Sequence, residues 1–376
     1  LLLNNGRGKF SVAQEATFAQ LGLVTDALFT DYDNDGWTDL LVTGQGMPIT
    51  LFANQEGTFV EATPQSLSEK IGWWNGLTGA DFDHDGDVDY LATNLGGNHL
   101  FHQNGEDFVG LYGADFDGNG GYDLLLSSRA LGEDGKLYEF PHFQRKDTEK
   151  QLVVVKDIYP LHKDFGRVTM NQFLMDMAPE KGLVELRANY LRSAWIENLG
   201  DGEFAFHALP AAAQAAPLFG TTLTDLNGDG YLDIIGVGND YGAEVGGGRM
   251  DALDGICLLY APETKSFRPL TMRESGLYVP GNARSVVRLR QGDQTLIVAS
   301  ENQGTTRAFR HAGAGRWFTP QAQTARLLLT HQDGSRSVRE CYYGSGFLGQ
   351  SSWQVWLPEG VMEVEEVLTG ETMKSQ

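Results

Sequence analysis

One nine-residue pattern occurs four times in this chain, and it limits the available folds more than anything else in the sequence. The copies are Asp31-Tyr-Asp33-Asn-Asp35-Gly36-Trp37-Thr-Asp39, Asp81-Phe-Asp83-His-Asp85-Gly86-Asp87-Val-Asp89, Asp115-Phe-Asp117-Gly-Asn119-Gly120-Gly121-Tyr-Asp123 and Asp225-Leu-Asn227-Gly-Asp229-Gly230-Tyr231-Leu-Asp233. Oxygen-bearing side chains occupy positions 1, 3, 5 and 9, and glycine occupies position 6. Carboxylates this crowded repel one another unless a hard cation lies among them. The pattern begins like an EF-hand calcium loop but closes at position 9 instead of 12. Four Ca2+ sites are therefore expected. Their side-chain ligands are positions 1, 3, 5 and 9, and Trp37, Asp87, Gly121 and Tyr231 offer backbone carbonyls at position 7. Asp-Gly turns form without metal, but four copies at equivalent places in a repeat favour the metal reading. The expected role is structural, because each loop joins two strands and its own groups saturate the ion.

The surroundings of the loops repeat as well. A short apolar or small-residue run precedes each loop, as in Ala27-Leu28-Phe29, and a compact hydrophobic run follows, as in Leu40-Leu41-Val42 or Ile234-Ile235-Gly236-Val237. Runs of this length between turn residues read as buried strands. An Asn/Gly turn closing on Phe then recurs at 5–10, 54–59, 104–108 and 198–204, which is a hairpin signal. Strand, acidic loop, strand, strand, hairpin and strand make a four-stranded unit, and tandem units of this kind are the signature of β-propeller blades. The spacing from Asp81 to Asp115 is short for a blade, so that unit is expected to be trimmed. The long gap before Asp225 is expected to hide a unit without a loop near 183–208, and a last degenerate blade is expected at 284–311. The predicted fold is all-β: a calcium-binding propeller of six or seven blades over 1–312, with a helical insertion at about 142–181. A small β module follows over 313–376, where alternating strands are separated by Asp333-Gly334 and Pro358-Glu359-Gly360.

These residues resemble a known family. The acidic loops with their Asn-x-Gly-type hairpins are similar to FG-GAP/VCBS repeats, the units of integrin-α-type propellers. The stretch from Arg339-Glu340 through Gly344-Ser345-Gly346-Phe347 to Gln350-Ser351-Ser352 resembles the ASPIC/UnbV motif, although it lacks the usual glycine-rich continuation. The middle of the chain, including Gly238-Asn239-Asp240-Tyr241-Gly242 and 248–255, looks like large surface lipoproteins of Bacteroidota. The resemblance implies an extracellular or outer-membrane location on a bacterium. One form it suggests is an accessory of an outer-membrane nutrient-uptake complex.

The formal net charge is −22, and nothing resembles a basic stripe. That argues against nucleic acid and against an anionic membrane surface. Four Ca2+ ions would bring the charge to about −14. No apolar stretch is long enough to span a membrane. The opening Leu1-Leu2-Leu3-Asn4-Asn5 reads as entered in mid-strand, as in a processed product or a fragment. Cys257 and Cys341 leave a disulfide open.

Sequence signatures of catalysis are missing: no Gly-x-Ser-x-Gly elbow, no His-Glu-x-x-His and no phosphate loop occurs. His99 and His102 would fall on opposite faces of a strand. The expectation is a protein without enzymatic activity that binds a protein or glycan at the cell surface. The alternative is a polysaccharide-active enzyme with an acidic propeller-face pocket. The segment 238–255 is the candidate ligand loop, with Asp240, Tyr241, Glu244, Arg249 and Asp251 as its polar groups. An internal contact between Arg249 and a carboxylate would also account for it. Trp73-Trp74-Asn75 could stack on a sugar or pack between blades.

Overall fold

The computed structural model describes residues 1–101, 108–177, 182–243 and 248–368. Antiparallel sheets dominate it. The first acidic loop joins Leu23–Thr30 to Asp39–Met47, and Thr50–Gln55 and Thr58–Glu61 complete that sheet, with Gly72–Trp73 paired alongside. The fourth loop joins Leu218–Thr224 to Asp233–Gly238 in a sheet finished by Ile256–Ala261 and Ser266–Pro269. Ala283–Gln291, Gln294–Glu301 and Arg307–His311 form a three-stranded sheet where a degenerate unit was expected.

The second sheet corrects the expected order of units. Its first two strands, Gly76–Ala80 and Asp89–Thr93, flank the second acidic loop, but its outer strands are Ala194–Asn198 and Phe204–Ala208. Ile196 lies opposite Tyr90 in this pairing. There is accordingly no separate unit at 183–208. Residues 94–193 are inserted between the second and third strands of one sheet, and they carry a sheet of their own. In that sheet Leu137–Pro141, Asp123–Leu131, Val109–Ala114 and Val184–Ala188 lie side by side, with the third acidic loop between Val109–Ala114 and Asp123–Leu131. The unit expected to be trimmed thus has all four strands, the last supplied after the helices. The hairpin expected at 104–108 lies outside the described residues except for Phe108.

Helices Arg145–Gln151, Val155–Ile158, His162–Phe165 and Met170–Met177 occupy the expected insertion as far as it is described. They cover one face of the inserted sheet, where Leu152, Tyr159, Phe165 and Phe173 pack on Tyr112, Phe116 and Leu125. The other cores lie between successive sheets. Leu28, Leu41 and Leu51 meet Leu77, Tyr90 and Ile196. Leu91 and Trp195 meet Leu218, Ile234 and Phe267. Ile235, Val237 and Cys257 meet Val286 and Ile297. Because both faces of a strand such as Asp39–Met47 are covered, its apolar residues run consecutively instead of alternating.

The C-terminal strands sit against the acidic-loop ends of these sheets. Thr324–His331 pairs with Arg336–Glu340 and Val361–Leu368, and Gly315–Phe318 pairs with Val355–Pro358. Val338 joins the core between the first two sheets. Glu340 accepts hydrogen bonds from Asp31 N at 2.7 Å, Thr30 Oγ1 at 2.7 Å and the Tyr342 hydroxyl at 2.5 Å. Tyr342 lies so close to the strand Gly76–Ala80 that a Cβ at Gly79 would stand 2.0 Å from its hydroxyl. Cys257 and Cys341 are free thiols.

In the first and second sheets the hairpin asparagine ties the outer pair of strands to the acidic loop. Asn198 N donates to Asp89 Oδ1 at 2.9 Å, its Nδ2 reaches Tyr32 O at 2.8 Å and Val88 O at 3.3 Å, and its Oδ1 accepts from Gly200 N. Asn54 does the same with Asp39, Thr38 O and Gly57 N. Asn198 is buried, so losing its amide strands several partners. Asn198→Ala is expected to lower unfolding free energy by about 1–3 kcal/mol in a denaturant titration, whereas Asn5→Ala in the exposed N-terminal hairpin should fall within about 0.5 kcal/mol of the parent.

Candidate functional site

All four acidic loops share one backbone course. At position 3 the side-chain oxygen accepts from the N–H of position 5 in every copy: Asp33 from Asp35, Asp83 from Asp85, Asp117 from Asn119 and Asn227 from Asp229. At position 5 it accepts from position 7: Asp35 from Trp37, Asp85 from Asp87, Asn119 from Gly121 and Asp229 from Tyr231. The chain turns left-handed twice, at position 6 in glycine and at position 4. Position 4 is Asn34 (φ 60°), His84 (63°), Gly118 (73°) and Gly228 (83°). Asparagine and glycine tolerate that conformation best, which is the signal the motif reading passed over.

Position 9 carries the most buried carboxylate. Asp39, Asp89 and Asp233 each accept one N–H from position 2 of their own loop and a second from near the end of the third strand, from Asn54, Asn198 and Tyr260. Asp123 accepts from Phe116 N. Burial pushes Asp39 and Asp233 up to about 7, and it raises Asp89 well above the ordinary carboxylate range. Burial likewise brings Asp81 to about 7, and Asp31 and Asp85 to about 6.

Carboxylate oxygens of three residues converge within 4.8 Å in three loops: Asp31, Asp33 and Asp39; Asp81, Asp83 and Asp85; Asp115, Asp117 and Asp123. Among the described residues the fourth loop has no such group of three. There Asn227 Nδ2 donates to Asp229 Oδ2 at 2.7 Å. In the first loop the contacts fall on one oxygen of Asp31, whose Oδ2 accepts from Gly36 N at 3.1 Å and forms an ion pair with Arg326 Nη1 at 3.0 Å, while that Nη1 donates to Asn34 Oδ1 at 2.7 Å. The Oδ1 of Asp31 is buried without a hydrogen-bond partner. An orphaned oxygen on a carboxylate grouped with two others fits a hard cation, and these donor sets could hold one.

The first, second and fourth loops are joined into one end of the molecule. Asn34 Nδ2 donates to Asp87 Oδ1 at 2.6 Å. Lys265 Nζ lies 2.7 Å from Asp83 and 2.5 Å from Glu197, and those two carboxylates raise its affinity for its proton. His84 stacks between Tyr231 and His331 at 4.2 and 4.6 Å between ring centroids. Val338 N caps Asp81 Oδ2 at 2.9 Å.

At the opposite ends of the same strands lies a cavity of about 440 Å³. Strand direction places it there: Gln45 is near the far end of Asp39–Met47, Trp73 and Asn75 precede Gly76–Ala80, Leu95 follows Asp89–Thr93, and Asp240 follows Asp233–Gly238. One wall is aromatic. Trp73 stacks on Phe101 at 6.3 Å and 22°, Phe101 meets His142 at 4.8 Å, and His142 meets Phe143 at 5.2 Å. Facing it are Asn98, Asp240, Arg249 and Asp251. Asp240 is held by Arg284 Nη2 at 2.8 Å, and Arg284 lies 4.0 Å over the Phe219 ring. The ligand loop expected at 238–255 thus contributes Asp240, Arg249 and Asp251 to the lining. Arg249 is engaged by Tyr241 through a cation–π contact at 4.6 Å, where a carboxylate partner had been considered. Glu244 lies outside the described residues, as does His102. His99 Nε2 pairs with Gly96 O at 3.0 Å, and His99 also lines the cavity. Trp74 is fully buried between sheets while Trp73 faces the cavity, so the two tryptophans divide the roles considered for them. Sequence reading missed Phe101, His142 and Phe143, which reach the cavity only because 94–193 folds back beside the second sheet.

A family model of the FG-GAP-like repeat matches residues 31–92, which run from the first acidic loop into the second strand of the second sheet. No curated protein matches the chain.

The raised carboxylates set a pH dependence for the metal-free chain. A carboxylate whose folded pKa lies above its unfolded value stabilises the fold at low pH and loses that contribution as pH rises through the folded value. With Asp39, Asp81 and Asp233 near 7, thermal melts in chelator are expected to show Tm falling as pH is raised from about 5 to 8. A flat or rising Tm over that range would remove the case for buried, uncompensated loop carboxylates.

Proposed function

We propose that this chain is a non-catalytic, calcium-stabilised binding protein that takes a glycan in the cavity opposite its acidic loops. The single observation that carries the reading is the composition of that cavity. A run of aromatic rings, Trp73, Phe101, His142 and Phe143, faces Asn98, Asp240, Arg249 and Asp251. Flat rings match the C–H faces of a sugar, and fixed amide, carboxylate and guanidinium groups match its hydroxyls. A cavity of about 440 Å³ has room for a short oligosaccharide end and no more.

We read the stacked antiparallel sheets as blades of a β-propeller over 1–312, with 313–376 as the C-terminal part. The expected count of six or seven blades included a unit at 183–208, and the assignment of 194–208 to the second sheet takes that unit out of the count. Calcium is the cation of choice because the loops offer oxygen alone, from flexible carboxylates, side-chain amides and carbonyls, which suits its adaptable coordination better than the strict octahedron of magnesium. About four sites are proposed, the fourth weakest because Asn227 replaces a carboxylate and the loop's acids do not converge. The resemblance to ASPIC/UnbV-bearing surface lipoproteins supports an extracellular or outer-membrane location. It also supports a role as an accessory of nutrient uptake, where a glycan or a partner protein would be met. No helix among the described residues is long and apolar enough to cross a membrane.

Two measurements check this. Calcium at about a hundredfold its dissociation constant should add roughly 2.7 kcal/mol per occupied site, more at pH 8 than at pH 5 because the ion needs ionised ligands. Asp31→Ala with Asp35→Ala should lose the share of the first loop, and a melting curve indifferent to EDTA would refute the metal. On a glycan array, followed by calorimetry on the hits, Trp73→Ala and Asp251→Asn should each weaken binding at least about tenfold while leaving the calcium-loaded Tm within a few degrees. Turnover of a polysaccharide by the purified chain would replace the binding reading with an enzymatic one.

A further inference from the structure

A second, smaller cavity of about 100 Å³ lies where the C-terminal segment meets the inner strands, among Thr78–Ala80, Thr222–Leu223, Arg288, Arg339 and Ser351–Ser352. It is rich in donors and poor in free acceptors. Arg288 places Nη1 on Leu223 O at 3.0 Å, and Arg339 places Nη1 on Trp356 O at 2.9 Å. The Nε of each arginine is buried with no hydrogen-bond partner. Three serine hydroxyls accept backbone N–H groups: Ser345 from Ser351 at 2.7 Å, Ser351 from Arg288 at 3.1 Å and Ser352 from Arg290 at 3.0 Å. Their own protons meet no acceptor among the described residues. Two of the acceptor side chains in the lining are already engaged: Glu340 by Asp31 N, Thr30 and Tyr342, and Gln350 Oε1 by Gly344 N.

Both arginines are half-buried with their Nε atoms out of contact with solvent, and the charge of Arg339 opposes that of Arg288. Burial, and for Arg288 the charge of Arg339 as well, lowers them to about 9 and about 10. Orphaned buried donors of this kind are rare without a partner. The volume is about that of three waters, enough for one small anion and too little for a sugar.

We propose that a single small oxyanion of the sulfate, phosphate or carboxylate class binds between Arg288 and Arg339, takes the serine hydroxyl protons, and fastens the C-terminal segment to the sheets. This site is independent of the glycan cavity, which lies at the other ends of the strands. Arginine suits it because its fork donates to two oxygens at once and is weakly hydrated.

The test uses the whole calcium-loaded chain in chloride buffer at constant ionic strength, titrated with sulfate, since phosphate would remove calcium. Sulfate should raise Tm by several degrees and give one-to-one binding by calorimetry. Arg288→Gln should weaken that binding roughly ten- to a hundredfold, and the milder Ser351→Ala about tenfold. A parallel acetate titration separates a carboxylate from a tetrahedral dianion by which of the two binds more tightly. The proposal fails if sulfate does no more than chloride at equal ionic strength. It also fails if the variants bind sulfate as the parent does. Should Arg288→Gln not fold, the parent and Ser351→Ala titrations decide between the two results.

Discussion

A buried aspartate with both oxygens spoken for is the joint on which three of the four loop-bearing sheets turn. Asp39, Asp89 and Asp233 close their own loops through the position-2 N–H and reach across to the third strand through the second oxygen. Loop geometry and sheet register are thereby one constraint. The loop cannot open without releasing the outer strands, and the outer strands cannot slip without orphaning a buried carboxylate. The inserted sheet lacks the second half of this joint. Its third strand, Leu137–Pro141, pairs with Ser127–Leu131, well past Asp123, and the helices cover its core instead.

The recurrent elements were legible because their causes are local. Asx turns, left-handed glycines and apolar runs are written within a dozen residues, so the loops, the hairpin asparagines and the C-terminal strands could be read directly. Strand partnership is different in kind. Nothing near Asp89–Thr93 announces that Ala194–Asn198 is its neighbour, since each is simply a buried strand with no partner encoded in its own pattern. The aromatic wall of the cavity inherits that problem, because Phe101, His142 and Phe143 come to Trp73 only through the same long-range pairing. Asp240, Arg249 and Asp251 were accessible for the opposite reason: they interrupt the repeat, and an interruption shows in sequence even when its geometry does not.

The two ends of the strands divide the work between rigidity and exposure. At the loop end, ion pairs from Arg326 and Lys265, the His84 stack and Val338 N cross-tie the first, second and fourth loops and the C-terminal strands. Polar groups there are consumed by one another. At the other end, charged groups line open volume, steadied from behind by Arg284 and Tyr241. A scaffold braced at one end can present a shaped surface at the other with little reorganisation on binding.

The interrupted second sheet also dictates an order of events during synthesis. Asp89–Thr93 leaves the ribosome roughly a hundred residues ahead of Ala194–Asn198, an interval of about 5–20 s at ordinary elongation rates. For that time an apolar strand has an unpaired edge, open to any other extended chain. The inserted sheet and its helices emerge in between, so the pairing of Asp89–Thr93 with Ala194–Asn198 has to close over a long stretch of chain that is already made.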